Sequence, residues 1–414
     1  MFFHDWFEKF EQYFLELLRE KRHRPIDRFI TGILFIASRF YRYGVQFRLW
    51  LYGKRILRDR ALGCQVISIG NLTCGGTGKT PVVEIFARTL SQKGRRVAIL
   101  SRGYRSKDNR TGAEKEEVRI VSKGGEPLLD SINAGDEPYM LAQNLRGVSI
   151  LVDKDRYKSG RLAINELDVD TIVLDDGFQY LGLQSHINIL LVDATAPFDN
   201  HHVLPRGLLR EPIENIRRAD FIFLTKADEP KYKQWNPVKR EKNSGDGAVR
   251  SRHQPLKDFI RKHNFRAEII ECCHCPKYFQ TVHSRNGEKE QYPLEYLKGK
   301  RVASLTAIAK PASFNAFLAE QGGIKVLERH FADHHRYTEE ELLEFVKDAK
   351  AANADVLMTT EKDAVRMPEL KHCDLPLLFL RIEIKILDDA GQKNFADCIS
   401  RICINNTLNT GDAE

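Results

Sequence analysis

The chain has 414 residues, 42% hydrophobic and 29% charged, with a formal net charge of +8. This excludes a disordered chain and fits a soluble or peripheral globular protein long enough for two full cores. Between Arg19 and Arg60, twelve Lys/Arg stand against Glu20, Asp27 and Asp59, so the whole excess charge sits in one segment and the rest of the chain is close to neutral. That excludes a uniformly basic nucleic-acid binder and points to a local anionic surface.

At the N-terminus, Phe3, Phe7, Phe10, Phe14 and Leu17 recur at helical spacing among acids, and no cleavable signal-peptide pattern is present. The apolar run 29–37 lies between Arg28 and Arg39; as a helix it would rise about 14 Å, too little to span a bilayer alone. In FYRYGVQFRLWLYGKR, Phe40, Tyr41, Tyr43, Phe47, Trp50 and Tyr52 alternate with Arg39, Arg42, Arg48 and Lys54. Rings set among cations suit the headgroup layer of an anionic membrane. A helical hairpin packed on the protein's own core is the alternative.

Apolar runs of strand length follow at 66–69, 97–100, 149–152, 171–174, 187–192 and 221–224, with helical spacing over 82–90 and from Asp136 to about Gly147. Buried strands alternating with helices predict a mostly parallel sheet. Residues 229–255 are polar and read as a linker or insertion. A second series follows, with strands near Ile269, Val302, Val326, Val356 and Leu378 and helices over 311–320 and 338–351. The expected layout is an N-terminal segment 1–60, an α/β core 61–228, a linker 229–262, a smaller α/β domain 263–405 and a tail 406–414.

The first strand runs into GNLTCGGTGKTP, residues 70–81. This is a phosphate loop of the P-loop NTPase type, with Thr73 where the early glycine of the usual pattern would stand. Gly75, Gly76, Thr77 and Gly78 leave backbone N–H groups free to face an anion. Lys79 would reach the β- and γ-phosphates, and the Thr80 hydroxyl would ligate Mg²⁺. Asp175 and Asp176 follow an apolar strand, where a metal-side carboxylate belongs. Asp136 of GDEP is either a helix cap or a base for an acceptor hydroxyl. FADHHRY gathers Asp333, His334, His335 and Arg336, which could act across an interdomain cleft. TKAD at 225–228 is similar to a guanine-reading motif, and Cys272, Cys273, His274 and Cys275 form a tight cluster without a second ligand pair. These two features support a P-loop GTPase of metallochaperone type; a non-enzymatic, membrane-associated nucleotide switch is the other alternative.

GNLTCGGTGKTP, SRGYRSK, GDEP, DDGFQ, LPRGLLREP and FADHH, in this order, resemble the tetraacyldisaccharide 4′-kinase family over about residues 25–385. The resemblance implies a P-loop α/β core, a smaller α/β domain and an N-terminal membrane-contacting helix. It implies Mg²⁺-dependent phosphoryl transfer from ATP to the 4′-hydroxyl of an acylated disaccharide 1-phosphate lipid. The setting would be the cytoplasmic face of a bacterial inner membrane, with peripheral or monotopic attachment, no nucleic acid and no obligate protein partner. By motif, Asp136 would be the base with Glu137 beside it, and His334 would pair with Asp136. Arg102, Tyr104 and Arg210 would line the acceptor or phosphate region. Domain closure would bring His334 to Asp136. The chain departs from the family in its first two dozen residues, its longer polar insertion and AIAKP at 307–311.

Overall fold

The structure is a computed structural model that describes residues 13, 16–18, 24–103, 106, 117–228, 253–283, 289–308, 311–370 and 373–404. The phenylalanines at 3, 7, 10 and 14, most of the polar insertion and Tyr104 lie outside the described residues. Two compact units are interleaved along the chain. One comprises residues 1–100, 155–273 and 385–414; the other comprises 101–154 and 274–384. Residues 101–154, expected with the phosphate loop, therefore pack with the later strands. Residues 254–262, expected as the end of a linker, belong to the helix Gln254–His263.

In the first unit the strand Gln65–Asn71 is buried along its whole length. It pairs in parallel with Thr171–Asp175 on one side and Ile187–Asp193 on the other. Val97–Ser101 joins the former, Phe221–Thr225 the latter, and Glu268 to Glu271 continues beyond Phe221–Thr225, all parallel. Strands buried on both faces explain the near-continuous apolar runs of the sequence. The helix Lys79–Gln92 covers one face: Phe86 meets Phe223 edge-on at 5.5 Å and Phe395 at 5.0 Å. Phe395 belongs to the helix Asp389–Ile404, so the last helix of the chain closes the first unit.

The second unit sets Arg301–Thr306 in parallel between Ile324–His330 and Val356–Thr360, with Leu377–Ile386 beyond the latter. Its core gathers Leu305, Phe345, Leu357 and Phe379. Arg119–Lys123 and Val148–Val152 form an antiparallel pair in the same unit.

Pro25–Gly53 is one continuous helix of 29 residues, not a hairpin. Ile26, Phe29, Ile33, Ile36, Phe40, Tyr43, Phe47 and Trp50 recur three and four apart and are 49–73% exposed. The stripe is therefore not spent on the protein's own core. The opposite, polar side docks on the first unit through Tyr41 Oη to the Arg210 carbonyl (3.0 Å), Arg42 to Glu214 (2.9 Å) and Gln46 to Asn215 (3.1 Å). Among the described residues no helix is long and apolar enough to cross a membrane.

Candidate active site

Thr73 does not need the freedom of a glycine because it is held as a strand. It bridges Leu209, while the Cys74 N–H donates to the Leu208 carbonyl (2.7 Å) and the Arg210 N–H to the Leu72 carbonyl (2.6 Å). The LLREP segment thus fastens the entry of the loop and carries Arg210 to it. At the other end, Gly78 takes φ +80° as the residue before the helix Lys79–Gln92, a conformation glycine adopts without steric penalty. Around Gly75 and Gly76 the space where a Cβ would point is open for 4 Å. The buried Thr77 hydroxyl has no hydrogen-bond partner among the described residues. Pro81 sits in the first turn, where its missing N–H removes no helical bond.

Lys79 Nζ lies 3.2 Å from Asn71 Oδ1 and 3.4 Å from Asp176 Oδ1, and Arg210 Nη1 donates to both Asp176 oxygens at 2.9 and 2.7 Å. Burial alone would raise the Asp176 carboxyl, but Lys79 and Arg210 outweigh it and hold the group below the usual carboxylate range. Asp176 has φ +54°, a left-handed turn that aspartate tolerates better than most residues. The turn depends on Gly177, where a Cβ would stand 2.6 Å from Leu174 Cβ and 2.8 Å from Ser68 Oγ. Asp175 is buried at the strand end and Thr80 in the first helical turn. The first unit therefore assembles a phosphate loop, Lys79, Thr80, Asp175, Asp176 and Arg210.

The second unit assembles a different group. Asp136 begins the helix Asp136–Asn144, but the cap position is Gly135, and the Asp136 side chain turns to cations instead. Arg336 Nη2 donates to Oδ1 (2.8 Å), Arg366 Nε donates to Oδ2 (2.8 Å), and His334 Nδ1 stands 3.4 Å from Oδ2. Burial would push the Asp136 carboxyl up; the guanidiniums of Arg366 and Arg336 pull it the other way and hold it below its ordinary value. Closure of one domain on another is not what joins His334 to Asp136, because both belong to the same compact unit. Glu137 pairs with Lys362 (2.6 Å). His335 is drawn away, stacked on Phe331 at 4.4 Å and bonded to Glu341 at 3.0 Å. Arg102 is exposed and belongs to the second unit, whereas Arg210 belongs to the first.

Sequence reasoning passed over Arg366 and Lys362. Their signal was TTEKDAVR, a strand end followed by Thr360, whose hydroxyl caps a single helical turn by accepting from the Asp363 N–H.

Two features that supported other functions are used structurally. Thr225 Oγ1 donates to the Thr77 carbonyl (2.9 Å) and Lys226 Nζ to the Gly76 carbonyl (3.2 Å), so TKAD buttresses the phosphate loop. Cys272 to Cys275 lie within the strand Glu268–Thr281, where successive side chains point to opposite faces and cannot converge on one ion. Burial pushes the Cys272 thiol up, which makes it unreactive.

The family model described as tetraacyldisaccharide-1-P 4′-kinase matches residues 30–401. Curated relatives called tetraacyldisaccharide 4′-kinase include one from Syntrophus aciditrophicus, 36% identical over 364 residues, 88% of this chain and 90% of the relative. One from Geobacter metallireducens is 37% identical over 342 residues, 83% of this chain and 90% of the relative. Among solved structures, LpxK from Aquifex aeolicus in complex with ATP is similar, with a TM-score of 0.67 and 28% identity. The match covers 89% of this chain and 99% of that one. A family match over most of the chain, together with curated relatives of that name more than 30% identical over most of their length, places this protein in the tetraacyldisaccharide-1-P 4′-kinase family.

Proposed function

We propose that the protein transfers the γ-phosphoryl group of ATP to the 4′-hydroxyl of a tetraacylated disaccharide 1-phosphate, a step in lipid A synthesis. The observation that carries this reading is Lys79, set between Asn71 and Asp176 at the end of an open glycine loop, in a chain of this family. Gly75, Gly76, Thr77 and Gly78 would cradle the phosphates, and Lys79 and Arg210 would meet charge that grows on the transferring group. The Thr80 hydroxyl and the carboxylates of Asp175 and Asp176 are hard oxygen donors that suit Mg²⁺, which takes its remaining ligands from phosphate and water. That ion would neutralise phosphate charge.

Asp136 would orient the 4′-hydroxyl and accept its proton as the new O–P bond forms and ADP leaves. Because its carboxyl lies below the usual range, it is ionised at neutral pH and ready to accept. In a loose phosphoryl-transfer transition state, orientation counts for more than basicity. Glu137, His334, Arg102 and Tyr104 complete the acceptor side of the proposal.

The acceptor is amphiphilic, and the helix Pro25–Gly53 supplies a matching surface. Its exposed aromatic stripe would lie in the headgroup layer, and its polar side holds the Arg210 carbonyl. This supports peripheral attachment to a membrane surface, and the cytoplasmic face of the inner membrane is the side proposed because the donor is ATP. The test is transfer of labelled phosphate from ATP to the disaccharide 1-phosphate in detergent micelles, with GTP as competitor. Transfer that ATP supports and excess GTP does not suppress is expected; GTP preference, or nucleotide binding without lipid turnover, would contradict the reading.

A further inference from the structure

Arg366 is the most completely engaged side chain around Asp136, although it was invisible as a site residue in the sequence. Its side chain is 1% exposed, and each of its three nitrogens has a partner. Nε donates to Asp136 Oδ2 (2.8 Å), Nη1 to the Ala307 carbonyl (3.3 Å) and Asp363 Oδ1 (3.4 Å), and Nη2 to His334 Nδ1 (3.0 Å). Asp363 is itself fully buried and fixed by the Thr360 hydroxyl (2.6 Å) and the Ala307 N–H (3.2 Å). The guanidinium is therefore clamped from behind and presents a rigid fork to the Asp136–His334 pair.

The proton inventory then decides how that pair is arranged. Arginine only donates. A 3.0 Å contact from Nη2 to His334 Nδ1 needs a lone pair on Nδ1, which puts the imidazole proton on Nε2. With its lone pair so used, Nδ1 cannot donate to Asp136, consistent with its longer 3.4 Å separation from Oδ2. Asp136 is instead oriented by two guanidiniums, Arg366 on one oxygen and Arg336 on the other. His334 is held at φ +68°, an uncommon backbone conformation for a residue other than glycine, and its Nε2 faces the Asp333 carboxylate at 3.9 Å.

We infer that Arg366 is the positioning residue of the acceptor side: it fixes the Asp136 carboxylate and sets His334 as the tautomer protonated on Nε2. This rests on the reading of Asp136 as the base. A lysine keeps the charge but cannot bond Asp136, His334 and Ala307 in one plane.

The experiment compares wild type, Arg366→Lys, Arg366→Gln and Asp136→Asn in the micellar lipid kinase assay, with kcat, the KM for ATP and the pH profile of kcat. Arg366→Lys is expected to lower kcat about a hundredfold, the scale of a small misplacement of a reacting group, with the KM for ATP unchanged. Arg366→Gln also removes a positive charge facing Asp136, leaving Arg336 as its cation, so the acidic limb of the profile moves to higher pH. A merely structural role would lower the active fraction and leave the limb in place. Wild-type kcat in Arg366→Lys with an unmoved limb in Arg366→Gln overturns the proposal. If Asp136→Asn is inactive in that case, the base reading stands without it; if Asp136→Asn retains full turnover, the base reading itself falls. Independently of how the variants fold, ¹⁵N-histidine spectra of the wild-type protein, with His334 assigned against His334→Gln, are expected to show an unprotonated Nδ1. A protonated Nδ1 overturns the assignment.

Discussion

At the scale of the residue, the first unit concentrates its chemistry on Asp176, which meets Lys79 and Arg210. Removing Lys79 as Lys79→Met would leave the carboxylate to Arg210 alone and take away the donor proposed for the transferring phosphoryl group. A loss of roughly a hundred- to a thousandfold in kcat is expected, the scale of losing one preorganised donor. Steady-state assay of the folded variant checks it, and a change confined to the KM for ATP would argue for a ground-state contact only. Gly177 makes a different prediction. Gly177→Ala puts a Cβ against Leu174 and Ser68, so Asp176 can keep its position only if the strand end shifts. A destabilisation of about 1–3 kcal/mol in denaturant unfolding is expected, in the range of overpacked cores. Unchanged stability would mean that the turn yields.

The same residues show how far the sequence could be read. Lys79 and Thr80 were legible because one strand–loop–helix unit fixes their spacing, and Asp175 and Asp176 because they follow the apolar run that forms the strand Thr171–Asp175. Asp136 and His334 were each legible as candidates, but their pairing was legible only through resemblance, since 198 positions separate them in the chain. Arg366 was passed over: the strand end and capped turn of TTEKDAVR locate it without marking it as a site residue, and its meaning comes from burial beside Asp136.

At the scale of the element, the helix Pro25–Gly53 joins a surface to a site. One side carries the exposed aromatic stripe, and the other bonds the Arg210 carbonyl and, through Arg48, the Gln179 carbonyl beside DDGF at 3.4 Å. The sequence revealed the rings and arginines but left a hairpin open as the alternative to one continuous helix. Over its whole length the three-and-four spacing is continuous. Replacing Phe29, Phe40 and Trp50 together by serine is expected to weaken co-sedimentation with phosphatidylglycerol vesicles about tenfold or more, given the apolar area removed. ATP binding is expected to stay unchanged, and unchanged vesicle binding would contradict a membrane role for the stripe. Strands were legible almost throughout because full burial leaves uninterrupted apolar runs. The helices Arg156–Leu167 and Gln254–His263 were missed because polar and charged residues interrupt their apolar positions and only a few of those positions are buried.

At the scale of the whole molecule, the chain's order conceals its packing. Residues 101–154 and 274–384 form one unit, and the last helix returns to the other, so no linear boundary separates them. Composition marks a polar insertion well, but it cannot report which strands pair across more than a hundred residues. Folding also ties the molecule to pH through buried carboxylates. Burial opposes ionisation of Glu271, but His253 and Lys257 overcome it and bring the carboxyl from its ordinary 4.5 to about 2. Asp136, Asp176 and Asp193 are lowered as well. Groups depressed on folding contribute stability that is fully present above their unfolded values and is lost as pH falls through the folded ones. Unfolding midpoints are therefore expected to fall steadily from about pH 4.5 toward pH 2, with a shallower slope in Glu271→Gln, and an identical slope in that variant would contradict the linkage.

The central claim is tested most directly by locating the phosphate that the purified protein adds. The account predicts a product with one new phosphate on the 4′-oxygen of the tetraacylated disaccharide 1-phosphate, identified by mass spectrometry and ³¹P NMR, formed with ATP and absent with Asp136→Asn. A phosphate at another position, or none on the lipid while ATP is consumed, would contradict it.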